Sequence, residues 1–130
     1  MGNLQCSLCD VAVDSIVREF HNVIAIRDAF PITEGHTLVV PRRHVGSIFE
    51  LLDSDQAQLW QLVAQVRSIL SEQLSPAGFN IGINDGVAAG QTILHAHIHI
   101  IPRYSGDVSD PRGGVRWIIP EKAVYWKDPS

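Results

Sequence analysis

Three of the six histidines in the chain, His95, His97 and His99, stand at alternate positions, separated by Ala96 and Ile98. In an extended segment alternate side chains leave the same face, so a strand over residues 95–102 would carry imidazole on one side and Ala96, Ile98 and Ile100 on the other. At a rise of about 3.3 Å per residue, neighbouring rings lie about 6.5 Å apart, close enough to share one phosphate group. Imidazole titrates near neutrality, so such a face can supply a nucleophile, proton donors or metal ligands. Mere solvation of a strand face does not call for one residue type repeated. A metal-dependent hydrolase using the three rings as ligands is the rival chemistry, but no acidic residue lies in or directly after HAHIHIIP. The nearest, Asp107, follows beyond Pro102.

A second constellation is Cys6-x-x-Cys9, the spacing of half a zinc site or of a redox pair. A thioredoxin-like pair opens a helix after a strand, and nothing before Cys6 supplies that strand. A closed zinc site needs four ligands, for which His44 and His95 are the candidates; two buried free thiols are the other reading. Between Asn84 and Thr92 the chain is rich in turn residues. Gly86 and Gly90 allow close backbone approach to an anion, and Gln91 and Thr92 offer an amide and a hydroxyl.

These residues need a scaffold. Residues 22–27 (NVIAIR) and 36–41 (HTLVVP) read as strands, the second opening on His36 and stopped by Pro41. Ser47 with Glu50 fits a capping box and a short helical turn. Leu59, Leu62, Val63, Val66, Ile69, Leu70 and Leu74 recur at helical spacing, with Asp53 and Gln56 as a capping pair at one end and Ser75-Pro76-Ala77-Gly78 closing the other. Residues 79–83 alternate as a half-buried strand before the Asn84-Asp85-Gly86 turn, while 6–18 read as mixed. Strands split around one long helix, without βαβ alternation, predict an α+β domain with a mainly antiparallel sheet.

With 130 residues, 45% of them apolar, the chain is expected to form a single domain over 1–130, with an N-terminal segment at 6–20 and a C-terminal tail at 103–130. A net charge of -4 argues against nucleic acid as a partner. No apolar run approaches the length of a membrane span, and Met1 to Asp10 lacks a secretory pattern. Cys6 stands where a myristoylation signal needs Ser or Thr. A cytoplasmic location, with no membrane partner, is the expectation.

GQTILHAHIHIIPR resembles the signature of the histidine triad family. The similarity extends back through Asn84-Asp85-Gly86 to DAFPITEGHTLVVPRRH and forward to RGGVRWIIPEKAVYW, nearly the whole chain. The resemblance implies a two-layer α+β fold, a five-stranded mainly antiparallel sheet with one long and one short helix, and a homodimer whose sheets join. It also implies hydrolysis or transfer at the α-phosphate of a nucleotide, either a dinucleoside polyphosphate such as diadenosine tetraphosphate or a nucleoside phosphoramidate. By position, His97 is then the nucleophile that forms a nucleotidyl-histidine intermediate, oriented by a main-chain carbonyl of its own strand. His99 and His36 donate to non-bridging oxygens, with His95 completing the triad. Gln91 and Thr92 contact phosphate, Asn84 lines the site, Asp28 accepts from the ribose hydroxyls, and Ile26 and Ala29 line a pocket for a purine base. Arg103, Arg112 and Arg116 follow the triad, and two readings stand for them: a grip on the distal phosphates of a longer substrate, or solvated surface. The resemblance further implies a structural zinc on Cys6, Cys9, His44 and His95, and no organic cofactor. The alternative is a nucleotide-binding regulatory protein with little turnover, against which an intact His97 speaks.

Overall fold

The computed structural model describes residues 6–127. Met1–Gln5, which carry half of the segment read above for a secretory pattern, and the last three residues of the tail lie outside it. Five strands form one antiparallel sheet: β1 (Ile16–Phe20), β2 (Val23–Arg27), β3 (Thr37–Pro41), β4 (Gly78–Gly82) and β5 (Ile98–Arg103), in the order β1-β2-β3-β5-β4. One long helix, α1 (Asp53–Leu74), crosses between β3 and β4, and a short α2 (Pro120–Ala123) follows β5. This is the α+β arrangement expected from the sequence.

The two faces of the sheet follow from alternation. Val23, Ala25, Val39, Ile98 and Ile100 point to one side, where α1 lays down Leu59, Leu62, Val63, Val66 and Leu70. Ile24, Ile26, Leu38 and Val40 point to the other, where the N-terminal segment covers them with Leu8. β2 and β3 therefore read as nearly continuous apolar runs because they are buried on both faces. β1 was not anticipated. It lies at the sheet edge, exposes Arg18 and Glu19, and carries a register shift between Ile16 and Arg18, so its alternation is broken.

The helix ends differ from expectation at one terminus. Leu52 occupies the N-cap without a side-chain bond, and the Gln56 amide donates to the Leu51 carbonyl, so Asp53 and Gln56 form no capping box. Asp53 and Asp55 in the first turn complement the helix dipole instead. At the other end Ser75 is left-handed at φ 48°, and Pro76 stops the helix as read. Ser47 does accept from the Phe49 amide, but only a 3-10 turn, Ile48–Glu50, results. The short helix of the fold is α2, opened by Pro120 at its first turn.

One local departure matters for chemistry. The ladder of β5 begins at Ile98, opposite Val39, so His95 and His97 lie ahead of the strand rather than inside it. There the Ala96 amide donates to the Val45 carbonyl at 2.7 Å, because the chain after Pro41 has turned away from β3.

Leu62, fully buried where α1 meets the sheet, sets the scale of the inner core. Leu62→Ala is expected to lower unfolding free energy by about 2–5 kcal/mol in urea titrations, from lost burial and the cavity left behind. A loss below about 1 kcal/mol would contradict this packing.

Candidate active site

On the sheet face away from α1, polar atoms cut off from solvent must find partners, and those partners decide the tautomers. The Ile32 amide can only donate, and it donates to Nδ1 of His36 at 3.2 Å. A neutral His36 therefore carries its proton on Nε2, which lies 3.0 Å from Nδ1 of His99 and 3.3 Å from Oδ2 of Asp28. With Nδ1 of His99 thus an acceptor, its proton sits on Nε2 as a donor. The His95 carbonyl can only accept, and His97 donates to it from Nδ1 at 2.8 Å. Nε2 of His97 keeps its lone pair and has no partner among the described residues.

The rings of His97 and His99 stand edge to face, 5.0 Å between centroids, and both line a cleft of about 670 Å³. Ile26, Asp28, Ala29, Asn84, Gln91 and Thr92 line the same cleft, so the structure gathers these expected residues around one space. Gly86 and Gly90 bracket the turn beside it with φ of +99° and +97°, conformations that a side chain would strain. Asp28 is anchored as well, its Oδ1 accepting from the Phe30 amide at 2.8 Å.

A match to the HIT domain model over residues 10–106 accompanies this geometry. The chain belongs to the HIT, or histidine triad, family. Among curated relatives, Protein hit of Bacillus subtilis is 35% identical over 103 residues, covering 76% of this chain and 71% of that protein. A bis(5'-nucleosyl)-tetraphosphatase [asymmetrical] of Schizosaccharomyces pombe is 44% identical over 80 residues, covering 62% of this chain but only 44% of that one. Among solved structures, a Zn-bound histidine triad family protein from Mycobacterium smegmatis superposes with TM-score 0.73 at 30% identity, covering 99% of this chain and 86% of that chain.

The first histidine of the triad leaves the other two for the cysteines, the place the resemblance implied for it as a metal ligand: Nε2 of His95 donates to the Pro41 carbonyl at 2.7 Å, and its Nδ1 faces Sγ of Cys6 and Cys9 at 3.5 Å each and Nδ1 of His44 at 3.1 Å. His36 turns to His99 rather than to the cleft, so its geometry orients that ring instead of meeting a phosphate oxygen. The two N–H groups of Gln91 are committed to the carbonyls of Gly46 and Ile93, while its oxygen accepts from the Gly86 amide. Gln91 thus holds the loop's shape and has no N–H left for a ligand. The three arginines are also engaged. Arg103 is paired with Asp107 and Asn80, Arg112 with Asp110 and the Trp126 ring, and Arg116 with the carbonyls of Lys122 and Ala123. These contacts fasten the tail.

Cys6, Cys9, His44 and His95 each offer one atom, all four within 4.8 Å of one another. A tetrahedral ion with N ligands at about 2.1 Å and S ligands at about 2.3 Å has N···N edges of about 3.4 Å and N···S edges of about 3.6 Å. The separations of 3.1 to 3.5 Å found here are close to those edges. Asp28, His36 and His99 form a second three-atom group, but the Ile32 amide forces the proton onto Nε2 of His36, the atom that would have to bind an ion.

The cleft also has walls not anticipated: Leu38 from β3, and Leu8, Val11 and Ala12 from the N-terminal segment. Leu38 was legible, being two residues from His36 on the same strand face. Leu8 was not, since its place depends on an irregular segment folding back over the sheet.

Burial holds both His36 and His99 below the ordinary imidazole value of 6.5; for His99 the neighbouring His97 and His36 push the same way, and in both cases Asp28 opposes. The unfolded chain therefore binds more protons than the folded one below pH 6.5. Stability is complete above 6.5 and is lost as pH falls through the lowered values. Urea midpoints of metal-loaded protein should fall between pH 7.5 and 5.5, and fall less in His99→Asn. An undiminished fall in that variant would refute the assignment.

Proposed function

We propose that this chain is a nucleotidyl hydrolase or transferase in which Nε2 of His97 attacks the α-phosphorus of a nucleotide. The observation that carries this reading is the bond from Nδ1 of His97 to the His95 carbonyl, which leaves a lone pair on Nε2 in a cleft of nucleotide size. The named activity of the fission-yeast relative, a bis(5'-nucleosyl)-tetraphosphatase, supports a dinucleoside polyphosphate as one substrate class; a nucleoside phosphoramidate is the other.

As Nε2 forms its bond to phosphorus, the bond from phosphorus to the leaving group breaks, an oxygen leaving as the phosphate anion and a nitrogen taking a proton from solvent to leave as the amine, and the positive charge on the imidazolium is spread toward the His95 carbonyl. Water then displaces His97, releasing a nucleoside monophosphate and a proton and restoring the neutral ring. Splitting one displacement into two is what the nucleophile contributes. Nε2–H of His99, held outward by His36, is the donor nearest to oxygens whose charge grows in the transition state. The Thr92 hydroxyl adds a donor from the loop that ends at the cleft. Ile26, Leu38 and Ala29 offer apolar contact to a base, and Asp28 offers carboxylate lone pairs to ribose hydroxyls.

We also read the Cys6, Cys9, His44 and His95 cluster as a structural zinc site, supported by the donor set and by the Zn-bound relative. With four protein ligands such an ion has no open position, so its role is cross-linking. β4 ends the sheet, and pairing of two such edges would give the expected homodimer. Among the described residues no helix is long and apolar enough to cross a membrane.

His97→Ala should reduce turnover of diadenosine tetraphosphate and of an adenosine phosphoramidate by more than about a thousandfold while leaving the nucleotide Kd within about threefold. Acid-quenched wild type should carry labelled nucleotide on His97. Near-normal rates in the variant would remove His97 from the reaction, whereas tight binding without turnover by wild type would favour the regulatory alternative. Elemental analysis should find about one zinc per chain, and Cys6→Ser should lower both zinc content and Tm. Full stability in a zinc-free preparation would overturn the metal reading.

A further inference from the structure

Leu8 lies between the two cysteines, in a tight turn closed by the Cys9 amide donating to the Cys6 carbonyl at 3.1 Å. Its side chain is only 7% exposed, packed on Ile24, Ile26, Leu38 and Val40, and it also forms part of the wall of the cleft. Val11 and Ala12 continue the same wall. Thr92, His97 and His99 line the cleft from the chain segment that runs into β5. The cleft is therefore walled at the base end by a segment that belongs to no strand or helix.

Beside the packing of Leu8, hydrogen bonds from both sulfurs to His44 and His95 link this segment to the rest of the chain. Two neutral thiols and two imidazoles facing one another make weak bonds, because sulfur is a poor donor and acceptor. The same four atoms around one divalent ion make a closed cross-link.

We propose that the metal on Cys6, Cys9, His44 and His95 acts as a base-recognition clamp: by fixing the Cys6–Cys9 turn it holds Leu8 against the base, so metal occupancy controls affinity for the nucleoside part of the ligand and not for its phosphate. This rests on the nucleotide reading above. Since coupling between two ligands is reciprocal, the bound nucleoside retains the metal by the same factor.

The test uses the full-length protein and two probes that differ only in the base, AMP and ribose 5-phosphate. In calorimetric titrations, stripping zinc should weaken AMP by about tenfold or more and ribose 5-phosphate by less than about twofold. Should the stripped protein unfold, zinc release from loaded protein to a chromogenic chelator gives the same answer. Saturating AMP should slow release by about tenfold, ribose 5-phosphate should not, and Leu8→Ala should abolish the difference while retaining one zinc. Equal effects of the two probes, or none from either, overturn the clamp while leaving the nucleotide reading intact. Failure of AMP to bind loaded protein would defeat both.

Discussion

A main-chain carbonyl has no tautomer to choose, and the one on His95 therefore decides the state of the residue two positions on. Because it accepts from Nδ1 of His97 at 2.8 Å, the lone pair of that ring must lie on Nε2. The carbonyl is itself held on both flanks. The His95 ring is locked between the Pro41 carbonyl and the sulfur cluster, and the next amide, of Ala96, is bonded to Val45. The Pro41 and Val45 bonds fix the His95 ring and the peptide that follows it without calling on the cysteines.

The same logic of fixed partners runs through the rest of the polar interior. Among the described residues five polar side chains are buried, His36, Thr37, Gln91, His95 and His97, and no side-chain nitrogen or oxygen that is itself sealed from solvent lacks a partner. An unpaired buried polar group would cost about 1–3 kcal/mol, enough to favour rearrangement over preorganisation. From Ile32 through His36 to His99, and from His95 to His97, each chain of bonds begins at a backbone group that cannot reverse. Neutral imidazoles are thereby presented with defined donors and acceptors, which is what nucleophilic displacement at phosphorus demands.

The cluster of Cys6, Cys9, His44 and His95 and the cleft share the sheet face that α1 leaves uncovered. On the inner face α1 supplies a continuous apolar cover, so side chains there do nothing but pack. On the outer face the described residues of the N-terminal segment cover the sheet, and space is left beside Ile26 and Leu38.

The sequence by itself determined the strand alternation, the long helix from Leu59 to Leu74 and the convergence of His97 and His99. These depend on period and spacing, which are local. Tertiary structure alone decided which way each ring turns: that His95 departs to the sulfur cluster, that His36 supports His99, and that the Gln91 amide and three arginines are taken up internally. It also decided that β1 is a strand at all and that Leu8 walls the cleft. The physical reason is common to these cases. A side chain with two or more polar atoms is satisfied by whichever fixed donors and acceptors the fold brings near, and those come from segments distant in sequence, such as Pro41 for His95 or Gly46 for Gln91.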